Sequence, residues 1–340
     1  MTIGIEHWQT IQSILRGYRA AQVLITCTQL GVFGQLAAGG NSAADLAVAV
    51  GVEARALARL LNAAVSLDLL TKQDGLYANA PLAESCLVEG GPYHLGNLVG
   101  REWAFYQRWS YLPDAVRSGQ RPDANIRDEG QRNWVLDFEL ALYDIARAYG
   151  PAVAEALALL EERPIRILDV GGGHGGYSMA LARRYPNAEP TVFELSAAAE
   201  VARYIIGNEG MSERVAVQVG DFQKEGLGEG YDLLLLFGVL VSESPEGKLT
   251  LLRKAYDALV PGGKIAIRGF WLDDDRAGPA EATFFSLHML LSTSEGDIST
   301  LTQLESLVKE AGFERPSLLP LPSWPDTGLY VAVKPNDSEP

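Results

Sequence analysis

The chain has 340 residues, 47% of them hydrophobic and 21% charged, a balance typical of a folded soluble protein with more than one domain. Its 43 Asp and Glu residues against 28 Lys and Arg give a net charge of −15, so a nucleic-acid partner is not expected. Cys27 and Cys86 are too few for a disulfide framework or a thiolate metal site. Without a long apolar run or a basic leader, we expect a cytoplasmic protein with no membrane insertion.

The first fifty residues predict helices. Apolar side chains recur at helical spacing over residues 8–18 and again over 21–30, so each of these helices is expected to bury one stripe. Ser42, followed three residues later by Asp45, is typical of a helix start, and Gly51 is typical of a helix end.

A further predicted helix over 53–67 leads into a hairpin, because Asp74-Gly75 stands between two short apolar runs. Helices followed by a hairpin are the order of a winged helix, which we place at residues 1–100. A winged helix either recognises DNA or serves as a module for dimerisation or substrate covering. Since residues 1–100 hold five Lys and Arg against seven Asp and Glu, the pattern favours the second role.

Residues 101–160 predict more helices and concentrate aromatic side chains. Such side chains usually pack in a core, but some of them are also suited to wall a pocket for a flat apolar ligand. We interpret 101–160 as a helical linker and pocket wall. The aromatic residues concerned are Trp103, Tyr106, Trp109, Tyr111, Trp134, Phe138 and Tyr143.

After Pro164 the pattern changes to alternating strands and helices. Two last strands, near Leu318 and over 329–333, follow a predicted helix and are spaced as an antiparallel edge hairpin. The predicted fold class is therefore α/β, with a Rossmann-like domain over 161–336 that has a mainly parallel sheet, preceded by the mostly helical winged-helix domain. The other predicted strands are 165–170, 190–195, 215–219, 232–240 and 264–270.

The most informative segment is a predicted strand that runs into the glycine turn 171–176 and then into a helix. Glycines let a ligand approach the backbone closely, although nicotinamide-binding folds use such a turn as well. Glu194 ends the next strand, about twenty residues on, where a carboxylate accepts hydrogen bonds from ribose hydroxyls. Gly220-Asp221-Phe222 ends the strand after that, where an acid and an aromatic ring suit an adenine base.

Further motifs share this part of the chain, and the first domain adds two more. They are Pro186-Asn187, Pro261-Gly262-Gly263, His288-Met289-Leu290, Ala311-Gly312-Phe313, Leu30-Gly31-Val32-Phe33 and Leu60-Leu61. Together with the turn that begins Asp169-Val170-Gly171, they resemble the class I S-adenosylmethionine (SAM)-dependent methyltransferases. In particular, nearly the whole chain resembles the small-molecule O-methyltransferase family that includes the plant phenolic and acetylserotonin methyltransferases.

The resemblance implies SAM rather than a nicotinamide as the cofactor, a small-molecule acceptor, no metal, and a homodimer formed through the first domain. It implies that the predicted helix 280–292 walls the acceptor pocket, and we expect the polar side chain of His174 near the methionyl group. The residues that it assigns to the cofactor are Asp169, Gly171, Gly173, Glu194, Asp221 and Phe222, with Phe237 and Gly238 lining the site at the end of the fourth strand.

The resemblance breaks at the family's catalytic base. The family has Val-Leu-His-Asp-Trp after the fourth strand, and this His removes the phenolic proton, whereas the chain has Val241 at the His position. Gly269 likewise stands where an acid would orient that His. Members that methylate a tetrapyrrole carbon, the bacteriochlorophyllide C-20 type, resemble this chain in having another residue there.

Two hypotheses follow for catalysis. An activated carbon, a thiolate or a neutral nitrogen attacks the methyl donor without first losing a proton, so no base is needed. Alternatively, a base lies elsewhere, and His288 on the predicted helix 280–292 is the first candidate. Tyr143 or Ser242 would then supply an orienting hydroxyl, and His94 and Tyr93 are further candidates.

We therefore interpret the chain as a homodimeric SAM-dependent methyltransferase of secondary metabolism. It is expected to act on a hydrophobic aromatic or polycyclic small molecule without the family's His base. The alternatives are a SAM-binding member of the same fold that catalyses hydroxylation or pericyclic chemistry, and a non-catalytic regulator.

Overall fold

A computed structural model describes residues 4–122, 134–159, 163–321 and 327–336. The chain divides into two compact units, Met1–Phe105 and Tyr106–Pro340. None of the described helices is long and apolar enough to cross a membrane.

The first unit has the predicted winged-helix order of helices followed by a hairpin. Its small antiparallel sheet has the strand order β1-β3-β2, and α7 continues beyond residue 105, where the unit ends. The elements are α1 (Ile5–Arg16), α2 (Tyr18–Gln29), α3 (Val32–Leu36), β1 (Asn41–Ser42), α4 (Ala43–Val50), α5 (Ala54–Ser66), β2 (Leu70–Gln73), β3 (Leu76–Asn79), α6 (Pro81–Cys86) and α7 (Gly96–Trp109).

The structure confirms the helix α4 and the hairpin that were predicted from short sequence motifs. The Ser42 hydroxyl accepts a hydrogen bond from the Asp45 backbone N–H at 3.1 Å, and Gly51 ends the helix at a φ of 71°. The two strands pair from Leu70 opposite Asn79 to Gln73 opposite Leu76, which leaves Asp74-Gly75 as the two-residue turn.

The apolar stripe of α1 is not buried within the chain, in contrast to the prediction. Trp8 is 61% exposed, Ile11 54% and Leu15 68%, and α1 has no buried residue, whereas α2 buries Ile25 and Cys27 as expected. The spacing of these three α1 side chains places them on one face of the helix. A contiguous apolar face of this kind marks a surface for a protein partner.

The second unit is a seven-stranded sheet with helices on both faces. Its elements are α8 (Leu112–Ser118), α9 (Trp134–Leu157), β4 (Ile165–Val170), α10 (Gly176–Arg184), β5 (Ala188–Glu194), α11 (Ser196–Asn208), β6 (Ala216–Val219), β7 (Tyr231–Phe237), α12 (Pro245–Ala258), β8 (Leu259–Phe270), α13 (Ala280–Ser292), α14 (Leu301–Glu310), β9 (Glu314–Leu319) and β10 (Thr327–Val333). One face of the sheet packs against α12 and α14, and the other packs against α9 and α10.

The strand order is β6-β5-β4-β7-β8-β10-β9. Neighbours from β6 to β8 are parallel, whereas β10 pairs antiparallel with both β8 and β9, which confirms the predicted edge hairpin. The predicted fourth strand was too long at its end. Gly238, at a φ of 74°, turns the chain out of β7 after Phe237 and into a 3-10 helix at Leu240–Ser242.

The chain reverses its direction of winding at β4. From this strand the sheet grows through β5 and β6 on one side and through β7 and β8 on the other, and ligands bind at such switch points, beyond the carboxyl ends of the strands. The turn after β4 and the turn after β7 are in contact here, because a Cβ on Gly171 would lie 2.6 Å from Cγ2 of Val239. The fold therefore brings the turns predicted to be functional to one edge.

We expect the exposed face of α1 to be covered by a second copy of the chain. Light scattering at micromolar protein should give twice 36.7 kDa. The double change Trp8→Glu with Ile11→Glu should shift the mass to that of the monomer, because burying two unpaired carboxylates is costly. Ser13→Glu, on the opposite face of α1, is the control and should leave the mass unchanged. A monomeric wild-type chain would contradict the expectation.

Candidate active site

The carboxyl ends of β4, β5, β6 and β7 hold most of the residues predicted from the sequence. Because β4 pairs with β5 on one side and with β7 on the other, the glycine turn after β4 lies between Glu194 and Phe237. Asp221 follows β6, the next strand outward. The structure thus brings together the residues that the sequence assigned to the cofactor.

The glycine turn is shaped by the backbone and by close neighbours. Gly171 and Gly173 have φ values of 64° and 45°, which side-chain-bearing residues rarely adopt. The helix α10 begins at Gly176, directly after the turn, so its free N–H groups point towards this edge of the sheet.

Asp169, one residue before the end of β4, is a fully buried acid. It is 1% exposed, and its Oδ2 accepts a hydrogen bond from the Ser178 hydroxyl at 2.8 Å. Burial raises the pKa of this carboxyl to about 7, the nearby Glu194 charge adds to the rise, and the bond from Ser178 opposes it. Asp169 is therefore a buried acid that lies directly against the glycine turn.

Glu194 ends β5 and holds the turn from the other side. Its Oε2 accepts a hydrogen bond from the Gly173 N–H at 3.1 Å, and its Oε1 accepts one from the Leu195 N–H at 2.8 Å. Burial raises the pKa of this carboxyl, while the two backbone donors lower it. The side chain remains partly exposed, as a ribose-binding acid requires.

Asp221 is partly exposed to solvent and already has local partners. Its Oδ2 lies 2.7 Å from Nζ of Lys224, and its Oδ1 accepts a hydrogen bond from the Gln223 N–H at 3.0 Å. The Lys224 ammonium and the Gln223 N–H hold the pKa of this carboxyl below its usual range. The ring of Phe222 packs against the core that underlies α12.

Glu139 was missed in the sequence, and it lies at the same turn. It comes from α9, is 7% exposed, and directs its carboxylate against Gly173, where any Cβ would collide with it. Its Oε2 has no hydrogen-bond partner among the residues that the structure describes. Burial, and next the charge of Glu194, raises the pKa of Glu139 to about 8. The only sequence signal was an acid inside the apolar run 138–142.

His174 is buried in the turn as a neutral ring. Its Nδ1 accepts a hydrogen bond from the Gly176 N–H at 2.8 Å. Burial, and next the charge of Arg268, lowers its pKa to about 3. Beside it, the rings of Tyr177 and Phe237 meet edge to face at 4.9 Å, so Phe237 packs at the site, and a Cβ on Gly238 would point into open space.

Val241 packs against an apolar cluster. The cluster consists of Leu272, Ala282, Met289 and Ile298, with the partly buried Val241, Phe270 and Phe285 packed against it. Gly269 lies on β8, where an added Cβ would be 3.4 Å from Cη2 of Trp271. This region offers contact area to an apolar ligand. The side chain at position 241 cannot accept a proton.

His288 is buried on α13 within a network that the sequence did not reveal. Its Nε2 lies 3.2 Å from Oγ of Ser292, which also accepts a hydrogen bond from Nη1 of Arg108 at 2.9 Å. Its ring stacks on Phe285 at 5.8 Å, and the Arg108 guanidinium lies 5.8 Å from the Trp134 ring centre. His288 is thus held in a fixed orientation among aromatic groups.

Tyr143 packs with Met179, Val192 and Ile206 between α9, α10 and α11, and its ring centre lies 6.0 Å from that of His174 in the glycine turn. Burial, followed by the Glu209 carboxylate, raises the pKa of its hydroxyl. The Tyr143 ring thus lies beside the glycine turn, and its role as a catalytic residue stays a prediction. His94 and Tyr93 belong to the first unit, and Ser242 ends the 3-10 helix after β7.

A sheet of this strand order, with a glycine turn after β4 and acids at the ends of β5 and β6, defines a class I SAM-dependent methyltransferase. The O-methyltransferase domain matches residues 109–314 and the O-methyltransferase dimerisation domain matches residues 12–89. The chain therefore belongs to the O-methyltransferase family, and it is a SAM-dependent enzyme that carries the dimerisation domain of that family.

Similar proteins cover the chain almost completely. It is 30% identical over 333 residues to 3-hydroxy-5-methyl-1-naphthoate 3-O-methyltransferase of Streptomyces sahachiroi, with 95% of this chain and 94% of that protein covered. It is 28% identical over 335 residues to L-tyrosine C(3)-methyltransferase of Streptomyces lavendulae, with 94% and 91% covered. Human N-acetylserotonin methyltransferase in complex with SAM superposes with a TM-score of 0.86, 28% identity, and 99% and 100% of the two chains covered.

The residues at the turn fit SAM, which carries a positive sulfonium and a positive ammonium group. Asp169, Glu194 and Glu139 bring three partly or fully buried carboxyl groups to one glycine turn. A cationic ligand offsets their repulsion, whereas a ligand with a pyrophosphate would increase it.

The raised pKa values predict how the stability of the ligand-free protein changes with pH. Glu139 and Asp169 hold their protons in the folded state up to about pH 8 and pH 7, but lose them near pH 4.5 and 3.8 when unfolded. The folded state therefore binds more protons in between. The free energy of unfolding should fall as the pH rises from about 5 to 8, by about 1.4 kcal/mol per pH unit for each proton.

Urea unfolding across this pH range measures the slope. Glu139→Gln removes one of the two protons and should flatten the slope, while Glu155→Gln, an exposed acid on the same helix, should not change it. If Glu139→Gln leaves the slope of the wild-type protein intact, Glu139 is not protonated in the folded state.

Proposed function

We propose that this enzyme transfers the methyl group of SAM to a hydrophobic aromatic small molecule without a His base at the end of β7. The observation that carries the proposal is the apolar cluster around Val241, next to the turn of the cofactor site. The relatives named above act, by their names, on a naphthoate, on L-tyrosine and on N-acetylserotonin, all of which are aromatic.

For the cofactor, we assign the residues that meet at the carboxyl ends of the strands. Glu194 is positioned to accept hydrogen bonds from the ribose, and Asp221 with Phe222 to receive the adenine. Asp169 supports the turn from below, Gly171 and Gly173 let the ligand approach the backbone, and Phe237 with Gly238 lines the site after β7. The acids at the ends of neighbouring parallel strands support this assignment.

For the acceptor, we assign α13 and the predicted pocket wall 101–160, of which the structure describes residues 101–122 and 134–159. Arg108 from this stretch donates a hydrogen bond to Ser292 of α13, which lies against His288, and the Arg108 guanidinium lies near the Trp134 ring. Trp134 and Phe138 add rings whose centres lie 5.9 Å apart. Aromatic walls with a few fixed polar groups are typical of pockets for flat ligands.

The chemistry that SAM supplies when bound is an electrophilic methyl group. The protein must hold the donor and the acceptor in line, and such positioning can supply a large part of the acceleration. The apolar side chains around Val241 keep water from the acceptor. A general base is worth about 10²–10⁴-fold when a hydroxyl must lose its proton, but an activated carbon or a neutral nitrogen needs none before attack.

The relocated-base alternative depends on His288. Its contact with the Ser292 hydroxyl fixes the ring, and its burial on α13 places it among the aromatic groups assigned to the acceptor. Nothing in the described parts of the chain favours hydroxylation, pericyclic chemistry or a non-catalytic role over methyl transfer.

Loss of either strand-end acid should weaken SAM binding. Glu194→Ala removes the ribose acceptor and Asp221→Ala removes the adenine acceptor, and each should raise the Kd about tenfold or more, because hydrogen bonds to charged groups contribute at least that much. Isothermal titration calorimetry measures this. Glu310→Ala, which removes an exposed acid of α14, is the control. Unchanged affinity in both variants would mean that the adenosine site is elsewhere.

Restoring the family's base should not help the native reaction. The probe is Val241→His with Gly269→Glu, in which a Cβ at position 269 would be in ordinary van der Waals contact with Trp271 at 3.4 Å. We expect no rate gain, measured as S-adenosylhomocysteine (SAH) released with a panel of naphthoate, tyrosine and indole acceptors. A gain of about 10²–10⁴-fold would show that proton removal limits the wild-type enzyme.

His288→Ala separates the two catalytic hypotheses. Without a base, this variant should retain turnover and SAM affinity, apart from losses due to weaker acceptor packing. If turnover disappears while calorimetry shows normal SAM binding, and His288→Gln does not restore it, His288 is the relocated base and the proposal of base-free transfer fails.

A further inference from the structure

Glu139 is a buried acid that the assignments above leave without a role. It is 7% exposed, and its Oε2 has no hydrogen-bond partner among the described residues. An unpaired carboxylate oxygen in such a place is costly, and native proteins rarely keep one without a reason. The oxygen therefore indicates a partner that arrives with a ligand.

The position of Glu139 shows which ligand can reach it. Its carboxylate lies against Gly173, and this glycine also donates its N–H to Glu194 at 3.1 Å. Glu139 and Glu194 thus hold the same turn residue from α9 and from β5. Any molecule cradled by the turn lies within reach of both acids.

The charges around Glu139 favour a cation. Glu194 faces it from β5, and the backbone N–H of His174 donates to it from the turn, while the His174 ring is neutral. Asp169 adds a third acid beneath the turn. A positive ligand group placed here is attracted by each of these acids that is ionised, in a region where burial strengthens such attraction.

We propose that Glu139 binds the cationic methionyl end of SAM. This inference rests on the proposed cofactor site, in which Glu194 takes the ribose. The methionyl chain extends from that ribose, and its ammonium and sulfonium groups are the two positive charges of the molecule. A carboxylate that shares Gly173 with Glu194 is placed to pair with this part of the ligand.

A proton leaves when the pair forms. In the ligand-free protein the Glu139 carboxyl keeps its proton near neutral pH, since its pKa is raised to about 8. The arriving cation favours the carboxylate, so the O–H bond breaks and the proton passes to solvent. Binding is therefore expected to release up to one proton at pH 7 and to become tighter as the pH rises towards 8.

The test uses calorimetry on the full chain with three ligands. SAM has both cationic groups, SAH keeps only the ammonium, and 5′-methylthioadenosine has neither. Glu139→Gln keeps the shape of the side chain and removes its charge. Glu155→Gln, on an exposed turn of the same helix, is the matched control. Proton release is measured by repeating the titrations in buffers with different ionisation enthalpies.

We expect Glu139→Gln to weaken SAM binding about tenfold or more, to leave 5′-methylthioadenosine binding unchanged, and to abolish the released proton. An equal loss for SAH identifies the ammonium as the partner, and a loss for SAM alone identifies the sulfonium. An equal loss for all three ligands would overturn the inference, because Glu139 would then act on the adenosine or on the fold of the turn.

The inference would also be overturned if Glu139→Gln bound all three ligands as the wild-type protein does. If that variant then lost turnover at saturating SAM, Glu139 would act on the acceptor instead. If the cofactor site itself were misassigned, Glu194→Ala and Asp221→Ala would leave the affinity for 5′-methylthioadenosine unchanged as well. This result distinguishes failure of the cofactor site from failure of the inference about Glu139. The urea midpoint of Glu139→Gln shows whether the variant folds.

Discussion

The second unit depends on burying three acids around one backbone turn. Asp169, Glu194 and Glu139 converge on residues 171–173 from β4, β5 and α9, and only one of them remains partly exposed to solvent. Their mutual repulsion is tolerated because the turn supplies N–H donors, because Ser178 bonds to Asp169, and because protons neutralise two of the groups. The ligand-free site is thus held in a state that a positively charged cofactor relieves.

In contrast to the acidic surroundings of the glycine turn, the region beyond β7 is mainly apolar. There the 3-10 helix places Val241 among Phe270, Phe285 and Met289, and the polar groups of α13 are fixed by Arg108 and Ser292. Charge is concentrated where we place the cofactor, and apolar surface is concentrated where we place the acceptor. This separation suits methyl transfer from a cation to a flat neutral ring, since the transferred group passes from a polar to a dry environment.

Local patterns in the sequence predicted most of the fold. The Ser42 cap, the Asp74-Gly75 hairpin and the strand β4 with its glycine turn were correct because each depends on residues close together in the chain. Tertiary contacts were not accessible in this way. Glu139 precedes the turn by more than thirty residues, and only the packing of α9 on α10 brings it there. Tyr143, on the same helix, is a candidate site residue from the sequence, and the fold places its ring beside His174 of the turn. The apolar stripe of α1 was recognised, but the sequence does not say whether the same chain or a partner covers it.

The contact between Gly171 and Val239 limits how such an enzyme can change its acceptor. Val239 touches the cofactor turn on one side and leads directly into the 3-10 helix with Val241 on the other. A substitution that reshapes this segment for a new acceptor also presses on the glycine turn to which we assign SAM. Phe285 and other side chains of α13 pack in the same apolar cluster as Val241, but they lie on a helix that is separate from the segment after β7. New acceptor preferences are therefore more accessible to evolution through α13 than through the segment after β7.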